Sequence, residues 1–450
     1  MLRKLLIVVA LFWAMDRLGS FGALHGDGAS AAFTLVSFGF ILLAAYTLGA
    51  LAEKIHLPHI TGYLLAGVAC GPHFLGLLGG EVVHQLKIFD ILAIALIAME
   101  AGSALDVGGL RQRWRQVAVL TTALIVLSLV GGLSFAGITS GVIPPVAIPW
   151  LEGQGAGLWV SVGLLLGVVV MATSPPVTLA VVSEARARGP FTDTLLTTVI
   201  INNVQVVVLF AVAMAVAQAL TGGMAGAEAV HGGHGGGAGA VLAQLAWSLV
   251  LGSFVASLAA AALRFLDRDA MFAIVGLCFT ASWVADQLGA SPLLTFLTAG
   301  ALLNTATKQG EPFKAVASRL SGPVYVLFFT LVGADLHVDA LTAMAPFAIA
   351  IVLIRLASYV AAIRLSGRLI ELPDSLVRHG ALGLAPQAGI ALTVALGVGH
   401  EFEGWGMDFE TLGLAAIALN EMVGPVLLKW SLSLAGEADA DNRARAAAEL

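Results

Sequence analysis

Residues 172–180 read "ATSPPVTLA". The segment lies inside a long apolar run, yet it holds consecutive prolines, Pro175 and Pro176, preceded by Thr173 and Ser174. Proline lacks a backbone N–H and disfavours helical geometry in the residue before it. A helix crossing a bilayer here must break mid-membrane, and its freed backbone groups need partners or a wet cavity. A second segment, "LAPQAGIAL" at 384–392, interrupts another apolar run in the same way with Pro386, Gln387 and Gly389. The two breaks are either packing kinks or the paired interruptions of an inverted-repeat transporter.

Composition supports a membrane setting. The 450 residues are 59% hydrophobic and 11% charged, with a mean hydropathy of +0.95; a soluble domain carries roughly 25% charged residues. Apolar runs recur near the ~20 residues a helix needs to cross a bilayer. The chain is predicted to be an all-α polytopic membrane protein with thirteen transmembrane helices, at about 32–52, 60–78, 87–106, 116–140, 157–185, 194–220, 239–263, 270–288, 290–306, 322–337, 342–365, 376–400 and 410–432. The hydrophobic segment at 1–24 is a signal peptide or an extra helix. Residues 32–432 form the transmembrane domain, and 433–450 a short cytoplasmic tail.

Nineteen of the 22 Lys and Arg residues fall in loops after odd-numbered spans or at the two ends. By the positive-inside rule those loops and the C-terminus are cytoplasmic. Cys70 and Cys278 lie in apolar runs and suggest neither a disulfide framework nor a zinc site. The net charge of −6 comes without a basic patch, which argues against nucleic acid as a partner. The glycine-rich loop at 221–240 reads as a flexible linker, with His231-x-x-His234 a weak metal signal.

The chain repeats itself with an offset of seven spans. "LPHITGYLLAGVACGP" (57–72) parallels "SPLLTFLTAGALLNT" (291–305), each with a proline followed seven or eight residues later by Ala-Gly. "GSALDV" (102–107) parallels "GADLHV" (333–338), with Gly, Leu and Val at identical spacing. The two proline breaks correspond, and "INNVQVVVL" (201–209) parallels "LNEMVGPVLL" (419–428), which sets Asn202-Asn203 against Asn420-Glu421. An odd offset makes equivalent segments run in opposite directions, the pattern of inverted-topology repeats with two crossing broken helices.

The stretches 51–78, 96–111, 288–304 and 323–341 together resemble the sodium/proton exchanger domain, nearest the monovalent cation:proton antiporter-2 family with its Kef-type potassium-efflux proteins. The resemblance covers roughly residues 32 to 432. It implies a homodimer in the bacterial inner membrane, with a dimerisation and a core domain, exchanging Na⁺ or K⁺ for H⁺ without a cofactor. Kef-type relatives often add a cytoplasmic nucleotide-binding domain, for which the tail to Leu450 leaves no room. The family usually carries Asp-Asp, Asn-Asp or Gln-Asp where this chain has Asn202-Asn203, and the second residue binds cation and proton in turn. Electroneutral relatives place a glutamate five residues earlier, where Thr198 stands here, paired with a basic residue matched by Arg355.

Asn203 offers a cation an oxygen but does not titrate. A proton carrier must then be another buried carboxylate, Glu421 or Glu100; each is alternatively a structural group. Asn202, Asn203, Thr173, Ser174 and Gln387 are candidate ion ligands, because hard cations take oxygen donors. For the three at the breaks the alternative is bonding to freed backbone. Arg355 stays charged, so it must neutralise Glu100 or Glu421, hold carbonyls freed by the breaks, or stand in for a bound cation. Amides beside Arg355 would bias the site positive and disfavour cations unless a carboxylate is near. Three function classes follow: a cation:proton antiporter, a transporter uncoupled from protons or carrying another solute, and a non-transporting sensor or complex subunit. No enzyme motif occurs.

Overall fold

Helices follow the apolar runs, and prolines and glycines set their ends. The computed structural model describes residues 29–438 apart from 56, 73, 79, 87, 105–106, 143–146, 222–237, 267–268, 308, 337 and 388. The segment 1–24, most of the glycine-rich loop with His231 and His234, and residues 439–450 therefore lie outside the described residues.

In chain order the helices are α1 (Ala29–Lys54), α2 (His59–Cys70), α3 (Gly80–Leu86), α4 (Ile88–Ala104), α5 (Val107–Gly137, continued by a π-turn to Val142), α6 (Ala156–Met171), α7 (Pro175–Glu184), α8 (Pro190–Thr221), α9 (Ala238–Phe265), α10 (Ala270–Gln287), α11 (Pro292–Thr305), α12 (Gly310–Ala334), α13 (Val338–Leu369), α14 (Asp374–Gly383), α15 (Ile390–Glu401) and α16 (Gly406–Leu434). Among the described residues, seven helices or helix pairs are long and apolar enough to cross a membrane, or eight if the bent α12 counts as one span. His59–Cys70, Pro292–Thr305 and Ile390–Gly399 are apolar but shorter.

α12 begins well before the expected span at 322 and bends by 58° between Leu320 and Gly322. Its first half carries Glu311, Lys314 and Arg319, so the hydropathy signal starts only after the bend. Pro323 sits beside the bend, where its ring and missing N–H break the ladder.

The chain forms two units. The first comprises the described residues of Met1–Ala104, Val250–Val284 and Pro292–Asp339. Its helices meet through glycine. A Cβ at Gly67 of α2 would collide with Thr330 O of α12, and one at Gly333 of α12 with Leu64 O of α2. The same reciprocity joins α4 and α11: Gly102 lies against Leu297 O and Gly300 against Met99 O. Small residues let membrane helices approach backbone to backbone, where dispersion is the main attraction. Phe40, Ile41, Leu78, Leu327 and Leu331 fill the space beside α2.

The second unit comprises the described residues of Leu105–Leu249, Ala285–Ser291 and Ala340–Leu450. α5 lies on α6 through Gly132, whose Cβ would strike the Gly163 and Gly167 backbone. Val162, Leu165, Val169, Ile351, Val394, Leu412 and Ala416 form the core, contributed by α6, α13, α15 and α16. The broken pair α6–α7 and the α16 helix are the most enclosed spans: 67% of their apolar windows are buried, against 33–39% for the other five. The polar groups at the breaks are therefore held in protein.

Candidate functional site

The first break runs from Ala172 to Ser174. Ser174 precedes a proline and adopts an extended conformation (φ −113°, ψ 102°). Its side chain caps α7 by accepting from Val177 N at 3.3 Å, with prolines at the first helical positions. The second break runs from Leu384 to Gly389, whose φ of 28° favours glycine. The breaks touch: Ser174 N donates to Pro386 O at 3.0 Å.

Arg355 of α13 is fully buried beside this crossing. One terminal nitrogen donates to Val170 O, and to Ala172 O at 2.7 Å. The other reaches Leu384 O at 3.1 Å, Ala385 O at 3.4 Å and Pro386 O at 3.5 Å. These are the carbonyls released at the C-terminal ends of α6 and α14. Each helix C-terminus carries about half a negative charge, so two of them match one guanidinium. Of the roles open to Arg355, the geometry realises the holding of freed carbonyls. The positive bias on the amides is correspondingly offset. Tyr359, one turn further along α13, has its ring 4.7 Å from the guanidinium carbon and donates to Met171 O at 2.9 Å and Val170 O at 3.1 Å.

Asn202 and Asn203 of α8 are 1% and 3% exposed. Asn202 Nδ2 donates to Met171 O at 2.7 Å and to Thr173 Oγ1 at 3.2 Å. Asn203 Nδ2 donates to Val199 O at 2.8 Å and to Thr173 Oγ1 at 3.3 Å. A carbonyl oxygen can only accept, so Met171 and Val199 fix which end of each amide is nitrogen. Both Oδ1 atoms are consequently buried with no hydrogen-bond partner among the described residues. An unsatisfied buried acceptor costs about 1–3 kcal/mol, so two neighbouring ones form a place where a cation or an ordered water gains most.

The remaining candidates divide. Gln387 Nε2 donates to Val169 O at 2.6 Å, and its Oε1 accepts from Asn420 Nδ2 at 2.8 Å, so both ends of the side chain brace the crossing. Ser174 is a helix cap. Glu421, 6% exposed, follows Asn420 on α16. Thr198 returns its hydroxyl to Thr194 O at 2.7 Å. Glu100 belongs to the first unit, where its Oε2 accepts from Tyr325 Oη at 3.0 Å. Among the described residues no group of three or more His, Cys, Asp or Glu is placed to hold a metal ion.

Two groups have little sequence signal. Tyr359 sits at i+4 from Arg355 in an apolar helix, where an aromatic reads as packing. Gln205, two residues beyond Asn203, bonds Thr121 Oγ1 at 3.1 Å; a lone amide in "VQVVV" is easily passed over.

Comparison with known proteins agrees with this architecture. The family model for the sodium/hydrogen exchanger, transmembrane, matches residues 38–404. The chain is similar to the Na(+)/H(+)-K(+) antiporter GerN of Bacillus cereus, 20% identical over 405 residues, covering 87% of this chain and 94% of that one. A probable Na(+)/H(+) antiporter 3 of Methanocaldococcus jannaschii is 26% identical over 173 residues, 38% of this chain and 39% of the relative. Among solved structures, two of the sodium proton antiporter MjNhaP1 from Methanocaldococcus jannaschii share the fold. One has a TM-score of 0.67 at 16% identity, covering 90% of this chain and 98% of that chain. The other, determined at pH 8, has a TM-score of 0.58 at 15% identity, covering 91% and 99%.

Proposed function

The chain belongs to the sodium/hydrogen exchanger family, membrane transporters rather than enzymes, and from that premise we propose that it exchanges a monovalent cation, Na⁺ or K⁺, for protons. The observation that carries the reading is the pair of buried, unbonded Asn202 and Asn203 carbonyl oxygens beside the crossing. A desolvated alkali cation is held by hard oxygen donors, and these two stand ready because Thr173, Met171 and Val199 fix the amide nitrogens. Arg355, occupied by the α6 and α14 ends, leaves the ligands free to take a cation.

An amide does not titrate, so the proton is carried elsewhere. Glu421 is our assignment: a buried carboxyl on α16, next to Asn420, which the Gln387 bridge ties to the crossing. Ionised, it adds the negative charge that favours a cation; protonated, it withdraws that charge and the cation leaves. Glu100, bonded to Tyr325 in the other unit, is assigned a structural role.

The same reading takes the expected thirteen crossings, the inverted repeat, the homodimer and the cytoplasmic C-terminus as its frame. Reciprocal packing supports the repeat. Gly67 faces the α12 segment that holds Gly333, and Gly300 faces the α4 segment that holds Gly102, and these are the glycines that the sequence repeat pairs.

The test is proton movement in proteoliposomes. Na⁺ or K⁺ added against a preformed proton gradient should dissipate it, and Glu421→Gln should abolish that response. A wild type that leaves the gradient intact with both ions contradicts the proposal. A second reading, cation transport without protons, draws on the missing aspartate at position 203; cation flux with an undisturbed proton gradient would establish it.

A further inference from the structure

Three amide side chains on α8 fall within four positions, and each leaves a buried carbonyl oxygen unbonded among the described residues: Asn202, Asn203 and Gln205. Gln205 takes no part in the contacts at the helix breaks. It lies three residues after Asn202, which places both on one face of the helix, one turn apart. Its nitrogen donates to Thr121 Oγ1 of α5 at 3.1 Å. Thr121 is fully buried and directs its own hydroxyl proton to Ala118 O at 3.4 Å. With its proton on Ala118 O, Thr121 accepts from Gln205, so the amide lies with nitrogen toward α5 and Oε1 on the unbonded side.

Other polar groups on the helix behave differently. The hydroxyls of Thr194, Thr197, Thr198 and Thr221 each return to the carbonyl four residues earlier. Thr192, in the first turn, differs from these four: its Oγ1 is buried and unbonded among the described residues. The three amide oxygens stand apart from these hydroxyls by clustering at positions 202, 203 and 205 of one helix.

We propose that Gln205 is a second cation-coordinating residue, whose Oε1 receives a dehydrated monovalent alkali cation from Asn202 and Asn203 or delivers one to them. This rests on the reading of the two asparagines as cation ligands. Three residues of helix advance about 4.5 Å, a step over which an ion exchanges one oxygen donor for the next. A neutral amide oxygen suits a passing station, since binding there must be strong enough to admit the ion and weak enough to release it. Thr121 acts as a positioning residue that keeps the oxygen in place.

The experiment measures initial cation transport against Na⁺ and K⁺ concentration for the full chain in phosphatidylethanolamine–phosphatidylglycerol vesicles, comparing wild type, Gln205→Leu and Gln205→Glu. Melting temperatures are taken in cation-free buffer. Gln205→Leu should raise the half-saturating cation concentration about tenfold, the effect of losing one ligand, and shift the Na⁺-to-K⁺ preference while melting near the wild type. Gln205→Glu should lower the half-saturating concentration at pH 8 and reduce the maximal rate, because a carboxylate holds the ion too well. Wild-type half-saturation and ion preference in both variants overturn the inference and leave the assignment of the asparagines standing. A lowered melting temperature with unchanged half-saturation overturns it too, by making Gln205 structural. If Gln205→Leu does not fold, the Gln205→Glu curve decides alone, an unchanged half-saturation counting against the inference. A wild type with no cation-dependent rate instead removes the parent reading, and this one with it.

Discussion

Asn202 donates its amide nitrogen to Met171 O at 2.7 Å, at the very end of α6, and so leaves its own oxygen without a donor among the described residues. The carbonyl that accepts this bond is free only because the helix stops there, ahead of Pro175 and Pro176. A proline break thus orients an amide on a different helix. Asn203, anchored on Val199 O and Thr173, does the same beside it.

Asn203→Asp should convert a pH-indifferent ligand into a titrating one. The carboxyl would face Val199 O, an acceptor, in a position now 3% exposed. A carboxyl there holds a proton or a cation in turn, and its own pKa sets the exchange. Cation affinity in the variant should therefore increase as pH rises through that value and vanish below it. Cation titrations from pH 6 to 9 check this; an affinity that does not respond to pH contradicts it.

Arg355→Lys should destabilise the protein although charge is conserved. An ammonium is a point charge on a flexible stem and cannot span two helix ends as the planar guanidinium does. The carbonyls of Leu384 and Ala385, or that of Ala172, lose the guanidinium donor, while Pro386 O keeps Ser174 N and Val170 O keeps Tyr359 Oη. At about 1–3 kcal/mol for a buried acceptor left unsatisfied, a clear fall in thermal midpoint is expected. A midpoint equal to the wild type would show that the guanidinium is not what holds the breaks.

Glu437→Ala should loosen the start of α8. Both carboxylate oxygens of Glu437 accept from that helix, from Phe191 N and Thr192 N at 2.8 Å each. Loss of a helix cap costs about 0.5–2 kcal/mol. Hydrogen exchange at the amides of residues 191 and 192 should accelerate in the variant, and unchanged protection there would refute the capping role.

Gly67→Val should separate α2 from α12. The new side chain would meet Thr330 O and the Ala334 and Gly333 backbone, none of which can rotate away. Overpacking of this kind costs about 1–3 kcal/mol or more. Gly300→Val, at the close contact of α11 with Met99 O of α4, should cost a similar amount. Thermal midpoints of both variants check the pair; tolerance of either substitution contradicts the close approach.

Much of this was legible in the chain because the signals were local. Pro175, Pro176 and Pro386 mark breaks by backbone chemistry alone, and an Asn pair in an apolar run must be buried and bonded. The Ala-Gly pairs of α2 and α11 are the sequence signal on which the expected repeat rests. What Arg355 touches was not legible: a charge in a membrane helix needs a partner, but only the fold shows that the partner is backbone from two breaks. Ser174 and Gln387 read as ion ligands because oxygen atoms at a break suit either role; the geometry uses Ser174 as a cap and gives both ends of Gln387 to the crossing. Glu437 lies beyond the last hydrophobic run, where a carboxylate reads as a solvated tail, and its partner is 245 residues away.

The most direct test is cation binding itself, measured by calorimetry on the detergent-solubilised full chain with NaCl and KCl. The wild type should bind at least one ion saturably, and the paired substitution Asn202→Leu with Asn203→Leu, which removes both unbonded oxygens, should weaken that binding at least ~10-fold. A folded double variant that binds with wild-type affinity would show that the cation is held elsewhere and that these two oxygens are not its ligands.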